Sequence, residues 1–225
     1  MTYNFEPLRV RARLRTGAVC DKFMPLDGIL LYQVHRWHYG AQVSTIPGGS
    51  VISENRTMSL PFKCANVGRH DWYYLCSWAQ WSHEAEGKDY WNKRFDNAFA
   101  SLIDFGGRRG NVIIGSGDYK AYHMPVFYRV SEMVEWYCVG DKAAVEALLS
   151  TVTNIGKKTA QGWGRVALWE VEKWAEDWSV WNGGRLMRGI PAKEAQPGMP
   201  YNIGVYGIRP SYWRRSNQMP LMMPL

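Results

Sequence analysis

One segment of the chain has residue types suited to holding phosphate. Residues 153–166 have the sequence TNIGKKTAQGWGRV, in which three glycines, two lysines and an arginine lie between two apolar runs. Glycines let backbone N–H groups come close to an anion, and the cationic side chains add positive charge. The phosphate would belong to a nucleotide, a cofactor or a nucleic-acid backbone, and the elements flanking the segment distinguish between these.

The flanking elements exclude the two common nucleotide-binding motifs. A nucleotide P-loop requires a strand, then G-x-x-x-x-G-K-[ST], then a helix. Here Thr151 stands five residues before Gly156, and a helix is predicted where the motif requires a strand. The dinucleotide fingerprint also fails, because the segment leads into a strand instead of a helix. A helix C-cap followed by an ordinary turn would give a similar sequence and is the alternative to a phosphate-binding loop.

Histidines are the candidates for acid–base chemistry. His35 and His38 are spaced i and i+3 on a predicted helix. Cleavage of RNA through its own 2′-hydroxyl uses such a general base together with a cation. A merely solvated histidine is the alternative, and the sequence offers no convincing acid–base pair. The four cysteines contain no C-x-x-C pair, so we expect buried free thiols, with no metal site, disulfide or cofactor.

Composition indicates a folded protein with an affinity for polyanions. Of the 225 residues 46% are hydrophobic and 21% charged, and the net charge of +7 accompanies 12 Trp and 13 Tyr. Cations attract nucleic acid and aromatic rings stack on bases, although many such rings belong to cores and interfaces. The sequence contains no long apolar run of a membrane span and no apolar signal core at its start, so we expect a cytoplasmic protein.

Hydrophobic periodicity predicts the elements that position these residues. Residues 8–15, LRVRARLR, alternate as a half-buried strand whose four arginines need an anion or an acidic partner, unless they form a solvated face. Helices are predicted from Pro25 to about Tyr39 and from the N-cap Asp141 to Gly156. Residues 89–102 also predict a helix. The order strand, helix, mixed elements, helix, glycine-rich loop, strand predicts an α+β, ferredoxin-like fold.

Several segments resemble a known family. The helix, IGKKTAQGWGR and the strand after it closely resemble the glycine-rich loop of the CRISPR-associated RAMP superfamily. Together with MPLDGILLYQV, YWNKRFD, GDYKAYHMP and GRLMRGIPA, they resemble the small foot subunit of type IV CRISPR effector complexes, over residues 8–192. The resemblance implies a ferredoxin-like (RRM-like) RAMP domain over residues 1–192, with a thumb-like insertion at about 40–125. Residues 193–225 are expected to form a basic, irregular extension rich in Pro, Gly and Met.

The resemblance also implies a noncatalytic role. Such a subunit holds the 5′ handle of the guide RNA (crRNA), caps a filament of backbone RAMP subunits and contacts the large subunit near the target DNA beside the protospacer-adjacent motif. The complex serves RNA-guided targeting of nucleic acid, and no membrane is involved. The alternatives are a guide-processing RAMP endoribonuclease that uses His35 or His38, and a free-standing single-strand RNA-binding module.

The candidate RNA-binding residues combine the loop with nearby pairs of rings and cations. Trp91 stands next to Lys93 and Arg94 in the sequence. For each cluster of rings and cations, the alternative to RNA binding is ordinary packing of the ring with a solvated cation. Arg108 and Arg109 would lie at the tip of the thumb-like insertion; the alternative is that they lie in a solvated hairpin turn. The candidates are Gly156, Lys157, Lys158, Thr159, Gly162, Gly164 and Arg165 in the loop, Lys93 and Arg94, Tyr119, Lys120 and Tyr122, and Arg108 and Arg109.

Overall fold

A computed structural model of the chain describes residues 3–40, 59–82, 85–104, 106, 110–194 and 201–225. It has an α+β fold with few helices and several antiparallel sheets. The helices are α1 (Leu26–Tyr39) and α2 (Lys142–Leu149). The strands are β1 (Glu6–Leu14), β2 (Cys64–Ala65), β3 (Tyr73–Tyr74), β4 (Gln80–Trp81), β5 (Ala85–Lys93), β6 (Tyr122–Val130), β7 (Met133–Gly140), β8 (Val166–Lys173), β9 (Trp181–Asn182), β10 (Arg185–Leu186), β11 (Ile190–Pro191), β12 (Asn202–Gly207) and β13 (Gln218–Met223).

Four strands form the central sheet, in the order β4, β7, β1, β8, and each neighbouring pair is antiparallel. In β1, Leu8, Val10 and Ala12 are buried, which confirms the predicted alternation. Both helices contribute to the core that these residues enter, since α1 adds Leu26 and Leu30 and α2 adds Val145, Leu148 and Leu149. The sheet thus has one face covered by the helices, and the arginines lie on the opposite face, where Arg9 packs against the Trp174 ring.

The helices begin where the local sequence predicts, but α2 ends at Leu149 and not at the predicted Gly156. Pro25 is the N-cap of α1, and the Asp141 side chain accepts a hydrogen bond of 3.0 Å from the Ala144 N–H at the start of α2. This cap confirms Asp141 as the N-cap of the second helix. The helix predicted over residues 89–102 is wrong in its first part, because β5 continues to Lys93 and only Asn97–Leu102 is a 3-10 helix. Pairing with β6 outweighs the weak local helix signal there.

The arginines of β1 find their counter-charges within the same chain. Arg9 and Arg11 both donate to Glu172 Oε1, at 2.9 and 2.6 Å, and Arg13 Nε lies 3.4 Å from Glu170 Oε2. The hydrogen bond from Arg9 holds the pKa of Glu172 below its ordinary value. The expected external anion is therefore replaced, at these three arginines, by acids of β8. The sequence does not show this because it does not contain the register of the two strands.

A long hairpin, β5 with β6, leaves the sheet within the region predicted as an insertion. Its strands pair over nine residues each, from Ala85 opposite Val130 to Lys93 opposite Tyr122. The same region also gives β4 to the central sheet, where Gln80 pairs with Glu135. Among the described residues, no helix is long and apolar enough to cross a membrane.

The composition of the C-terminal residues predicts an irregular extension, and this prediction is wrong. These residues form a sheet in which β13 pairs with β11 and β12. Consecutive apolar residues of β13 pack with residues from other parts of the chain in a second core, and this burial outweighs the turn-forming composition. This core contains Tyr73, Trp78, Leu186, Ile190, Ile208, Leu221, Met222 and Met223.

Two buried polar contacts connect this sheet to the rest of the protein. Arg188 is fully buried, and its guanidinium donates to the carbonyl oxygens of Tyr74, Cys76 and Ile208. The Tyr212 hydroxyl donates to the buried carboxylate of Asp27 in α1, at 2.7 and 2.8 Å. Because the Arg188 guanidinium and the Asp27 carboxyl group both have hydrogen-bond partners, the penalty for removing these polar groups from water is offset.

We expect Tyr212→Phe to lower the free energy of unfolding by about 1–3 kcal/mol, because it leaves a buried acceptor without its donor. Burial raises the pKa of Asp27 despite the nearby Arg188. The native state therefore keeps a proton that the unfolded state releases above about pH 4, and stability falls as the pH rises through the folded-state pKa. Since the hydroxyl favours the charged carboxylate, the loss should be larger at a pH above the folded-state pKa of Asp27 than at a pH below it.

Denaturant unfolding at both pH values measures this effect. Tyr32→Phe is the matched control, because Tyr32 is an exposed tyrosine of α1, the helix that contains Asp27. Equal stabilities for the two variants would contradict the role of the Tyr212 hydroxyl.

Candidate nucleic-acid interface

The glycine-rich loop is the segment between α2 and β8, residues 153–166, and it closes on itself. The Ile155 N–H donates to the Gly164 carbonyl at 2.8 Å, and Asn154 and Arg165 form a β-bridge. Lys158 adopts the left-handed conformation, with φ of 59°, before a short 3-10 helix over Thr159–Gln161. The loop is thus a hydrogen-bonded unit that presents its cations from fixed positions. The side chains of Lys157, Lys158, Thr159 and Arg165 are exposed.

The loop is seated on the β1–α1 turn, which we define as residues 15–25. The Lys157 N–H donates to the Val19 carbonyl at 2.7 Å, and the Gly164 N–H donates to the Gly17 carbonyl at 2.8 Å. Thr16 Oγ1 accepts from the Arg165 N–H and donates to the Gly162 carbonyl, both at 2.9 Å. These backbone donors already have acceptors in the protein. Phosphate binding at the loop would therefore depend on its side chains and on other N–H groups.

The same turn also holds the base of the β5–β6 hairpin. Ala18 and Arg129 exchange two backbone hydrogen bonds, of 2.8 and 2.9 Å. The next residue of the turn, Val19, forms an antiparallel β-bridge with Lys157 of the loop. Residues 17–19 therefore bring together two segments that are far apart in sequence.

One face of the hairpin packs against the loop. Residues opposite each other in an antiparallel pair share a face, so Trp91, Lys93, Tyr122 and Tyr128 lie on one side of the hairpin. The ring of Tyr128 lies 4.7 Å from that of Trp163 in the loop. The Lys158 ammonium lies 4.2 Å from the centre of the Trp91 ring, within cation–π range.

Rings and cations continue outward from this contact. The rings of Trp91 and Tyr122 stack at 6.0 Å with an angle of 21° between them, and the Lys120 ammonium lies 5.5 Å from the Tyr122 ring. Lys158, Trp91, Tyr122 and Lys120 thus form a row, which we call the ring–cation row. The structure brings these sequence-predicted residues together.

The other candidates lie beside the row or outside the described structure. Lys93 donates to the Asp118 carbonyl at 2.6 Å, Tyr119 packs edge-on against Phe95 at 5.1 Å, and Arg94 is exposed. Arg108 and Arg109 lie outside the described residues.

Two aromatic residues were not among the sequence-predicted candidates. Trp163 and Tyr128 hold the hairpin to the loop, and Tyr128 also covers Gly87, where a side chain would collide with its ring. Alternation within β6 predicts which side Tyr128 takes, but the sequence does not show that Trp163 lies opposite it.

Burial shifts the pKa of two groups of the kind that covalent chemistry uses, a cysteine thiol and a histidine. Burial raises the pKa of the Cys20 thiol, next to the loop, to about 12, so it stays protonated and non-nucleophilic. His35 is half-buried on α1, and burial followed by the proximity of His38 lowers its pKa. The cysteines are free thiols; the predicted burial is confirmed for Cys76 and Cys138 but is wrong for Cys20 and Cys64, which are partly buried. Within the described part of the chain, no group of three His, Cys, Asp or Glu residues could hold a metal ion.

We expect Gly164→Ala to damage the loop far more than Gly162→Ala. Both glycines have positive φ, 66° and 91°, so a side chain is strained at either position by about 1–2 kcal/mol. At Gly164 a Cβ would also collide with the Ile155 carbonyl, whereas at Gly162 its nearest neighbour is Arg165 Nε at 4.0 Å. Thermal unfolding of the two variants makes the comparison. Equal melting temperatures would contradict the packing described for Gly164.

Comparison with known proteins identifies the family. The model of the CRISPR type IV associated protein Csf3 matches residues 109–224, just over half of the chain. This range includes β6, β7, α2, the glycine-rich loop, β8 and the C-terminal sheet. A comparison with curated proteins finds no match. The chain therefore belongs to the family of the CRISPR type IV associated protein Csf3.

Proposed function

We propose that this protein is a noncatalytic subunit of a type IV CRISPR ribonucleoprotein that binds the 5′ handle of the guide RNA. In this proposal it caps the filament of backbone RAMP subunits beside the large subunit, near the target DNA at the protospacer-adjacent motif. The complex would act in the cytoplasm in RNA-guided targeting of nucleic acid. Family membership supports the association with type IV CRISPR systems.

The observation that carries the RNA-binding proposal is the contact between Lys158 and Trp91. It joins the glycine-rich loop to the β5–β6 hairpin, so that exposed cations of the loop lie at one end of the ring–cation row. A single strand of RNA needs both components, because cations contact its phosphates and rings stack on its unpaired bases. The alternative of unrelated packing contacts does not require two stacked rings to have a cation at each end of one continuous row.

The architecture supports the RAMP assignment within this proposal. Reading β1, α1, β4, β7, α2 and β8 along the chain gives the strand–helix–strand–strand–helix–strand order of a ferredoxin-like fold. We assign the central sheet and its two helices to that fold, and the β5–β6 hairpin to the thumb-like element. The loop would then have the same place, between the last helix and last strand, as the glycine-rich loop of the superfamily.

The site suggests how the handle would be held. Lys157, Lys158 and Arg165 would contact successive phosphates, while Trp91 and Tyr122 would stack on splayed bases. Such contacts fix the position and direction of a strand without recognising a particular base. We therefore infer that the residues of this row contribute affinity and register, and that base recognition of the handle comes from other contacts.

We expect Lys157→Ala/Lys158→Ala to weaken guide-RNA binding and to lower its dependence on salt. Each phosphate contact on a single strand contributes about 0.7 to the slope of log affinity against log salt, so two contacts give about 1.4. Fluorescence anisotropy with repeat RNA at several salt concentrations measures the slope. The matched control is Lys142→Ala/Lys173→Ala, which removes the same charge from two lysines paired with Glu146 and Glu6.

An unchanged slope, or the same change in both double variants, would remove the loop from the RNA site. Sequencing the RNA that copurifies with the protein from its native cells tests the function itself. Guides that share one repeat-derived 5′ end support handle binding, and a heterogeneous RNA population would contradict it.

We also expect the protein to hold guide RNA without cutting it. The ring–cation row supplies lysine, tryptophan and tyrosine, while the hairpin histidine, His123, lies on the opposite face and stacks on Tyr90 at 4.5 Å. Incubation of purified protein with repeat RNA should leave the RNA intact. Specific cleavage that disappears in His35→Ala or His38→Ala would instead support the guide-processing nuclease.

A further inference from the structure

The turn between β12 and β13, residues 208–217, presents a tryptophan to solvent. It has the sequence IRPSYWRRSN, and 66% of the Trp213 side chain is exposed. Leaving so large a ring in water forgoes the stabilisation that its burial would give. Arg215, two residues later, is also exposed. An exposed ring beside an exposed cation repeats the chemistry of the ring–cation row at a different place in the chain.

The turn is held in one conformation by buried contacts. The Ile208 N–H donates to the Asn217 carbonyl at 2.9 Å, and Asn217 Nδ2 donates to the Ser211 carbonyl at 3.1 Å. Tyr212, next to Trp213, is tied to Asp27 of α1 through its hydroxyl. The backbone that carries Trp213 is therefore ordered before a ligand binds, which lowers the entropy cost of binding at this turn.

The charge around Trp213 favours an anionic ligand. Residues 201–225 contain three arginines and no aspartate or glutamate. Arg209 is engaged with the protein, because it donates to the His70 carbonyl at 2.7 Å and lies 4.9 Å from the Trp72 ring. Arg215, two residues after Trp213 in the chain, is exposed to solvent. A protein-binding hot spot would also use Trp and Arg, but its ring sits in an apolar patch, whereas the residues that follow Trp213 are Arg214, Arg215 and Ser216.

The position of the turn is compatible with a strand that also reaches the loop. Tyr212 packs beside Gly28, in the first turn of α1. The β1–α1 turn, which seats the glycine-rich loop, leads directly into that helix. The ring–cation row and the β12–β13 turn are thus supported by consecutive parts of the chain.

We infer that the β12–β13 turn is a second nucleic-acid site, in which Trp213 stacks on an unpaired base and Arg215 contacts a neighbouring phosphate. The ligand is a single strand, because an exposed ring on a protruding turn stacks on splayed bases and not on paired ones. RNA and DNA share this chemistry. The site does not require the handle to bind at the glycine-rich loop, so each can fail without the other.

Anisotropy with labelled RNA and DNA strands of about 15 nucleotides tests the inference on the full chain. Trp213→Ala should weaken binding roughly 5- to 150-fold, the range expected for one stacked base, and Trp213→Phe should lose less. Arg215→Gln should lower the salt slope by about 0.7. Trp37→Ala is the matched control, because Trp37 is 57% exposed on α1 and lies outside both sites. Thermal unfolding checks that each variant is folded.

Each outcome of the experiment bears on the site. A loss for RNA alone or for DNA alone supports it and identifies the strand. If Trp213→Ala binds both strands as well as Trp37→Ala, the inference is wrong. It is also wrong if Trp213→Ala keeps strand binding but no longer associates with the other subunits, since the turn is then a protein contact. Loss in Lys157→Ala/Lys158→Ala with none in Trp213→Ala would support the handle site alone.

Discussion

The structure of the candidate interface depends on backbone pairing at residues 17–19. These residues bind the glycine-rich loop through Gly17 and Val19 and the β5–β6 hairpin through Ala18. Without this shared seat, the loop would be an ordinary turn after α2, and the hairpin would have no fixed direction from the sheet. The Lys158–Trp91 contact is a consequence of the seat, because it becomes possible only when both segments are held beside the same turn.

The distribution of charge is more informative than the net charge of +7. Arg9, Arg11 and Arg13 form ion pairs with Glu170 and Glu172 of β8, so much of the charge of the most conspicuous basic segment is compensated within the protein. The exposed cations of the loop are fewer but stand beside aromatic rings. For a polyanion, this local excess decides where association begins, because paired charges contribute little to the field around the protein.

The sequence predicts the elements with strong local signals and misses those fixed by long-range pairing. Alternation in β1 and the N-cap at Asp141 come from neighbouring residues, and both are confirmed. The C-terminal strands are hidden by Pro, Gly and Met, because their stability comes from pairing and from a core shared with Trp78. For the candidate interface, composition identifies the loop and the ring-bearing segments, but only strand register shows that Trp91 and Tyr122 share the face beside Lys158.

The seat at residues 17–19 is made of main-chain atoms, and this affects how the protein can diverge. Substitutions at Ala18 or Val19 that leave the backbone in place preserve its N–H donors and C=O acceptors. Such substitutions therefore need no compensating changes in the loop or the hairpin. Gly17 is more restricted, since a Cβ would approach the Arg129 carbonyl at 3.1 Å and the Tyr128 ring at 3.2 Å. Related proteins can therefore keep the same contact between loop and hairpin even when few of their side chains at these positions are identical.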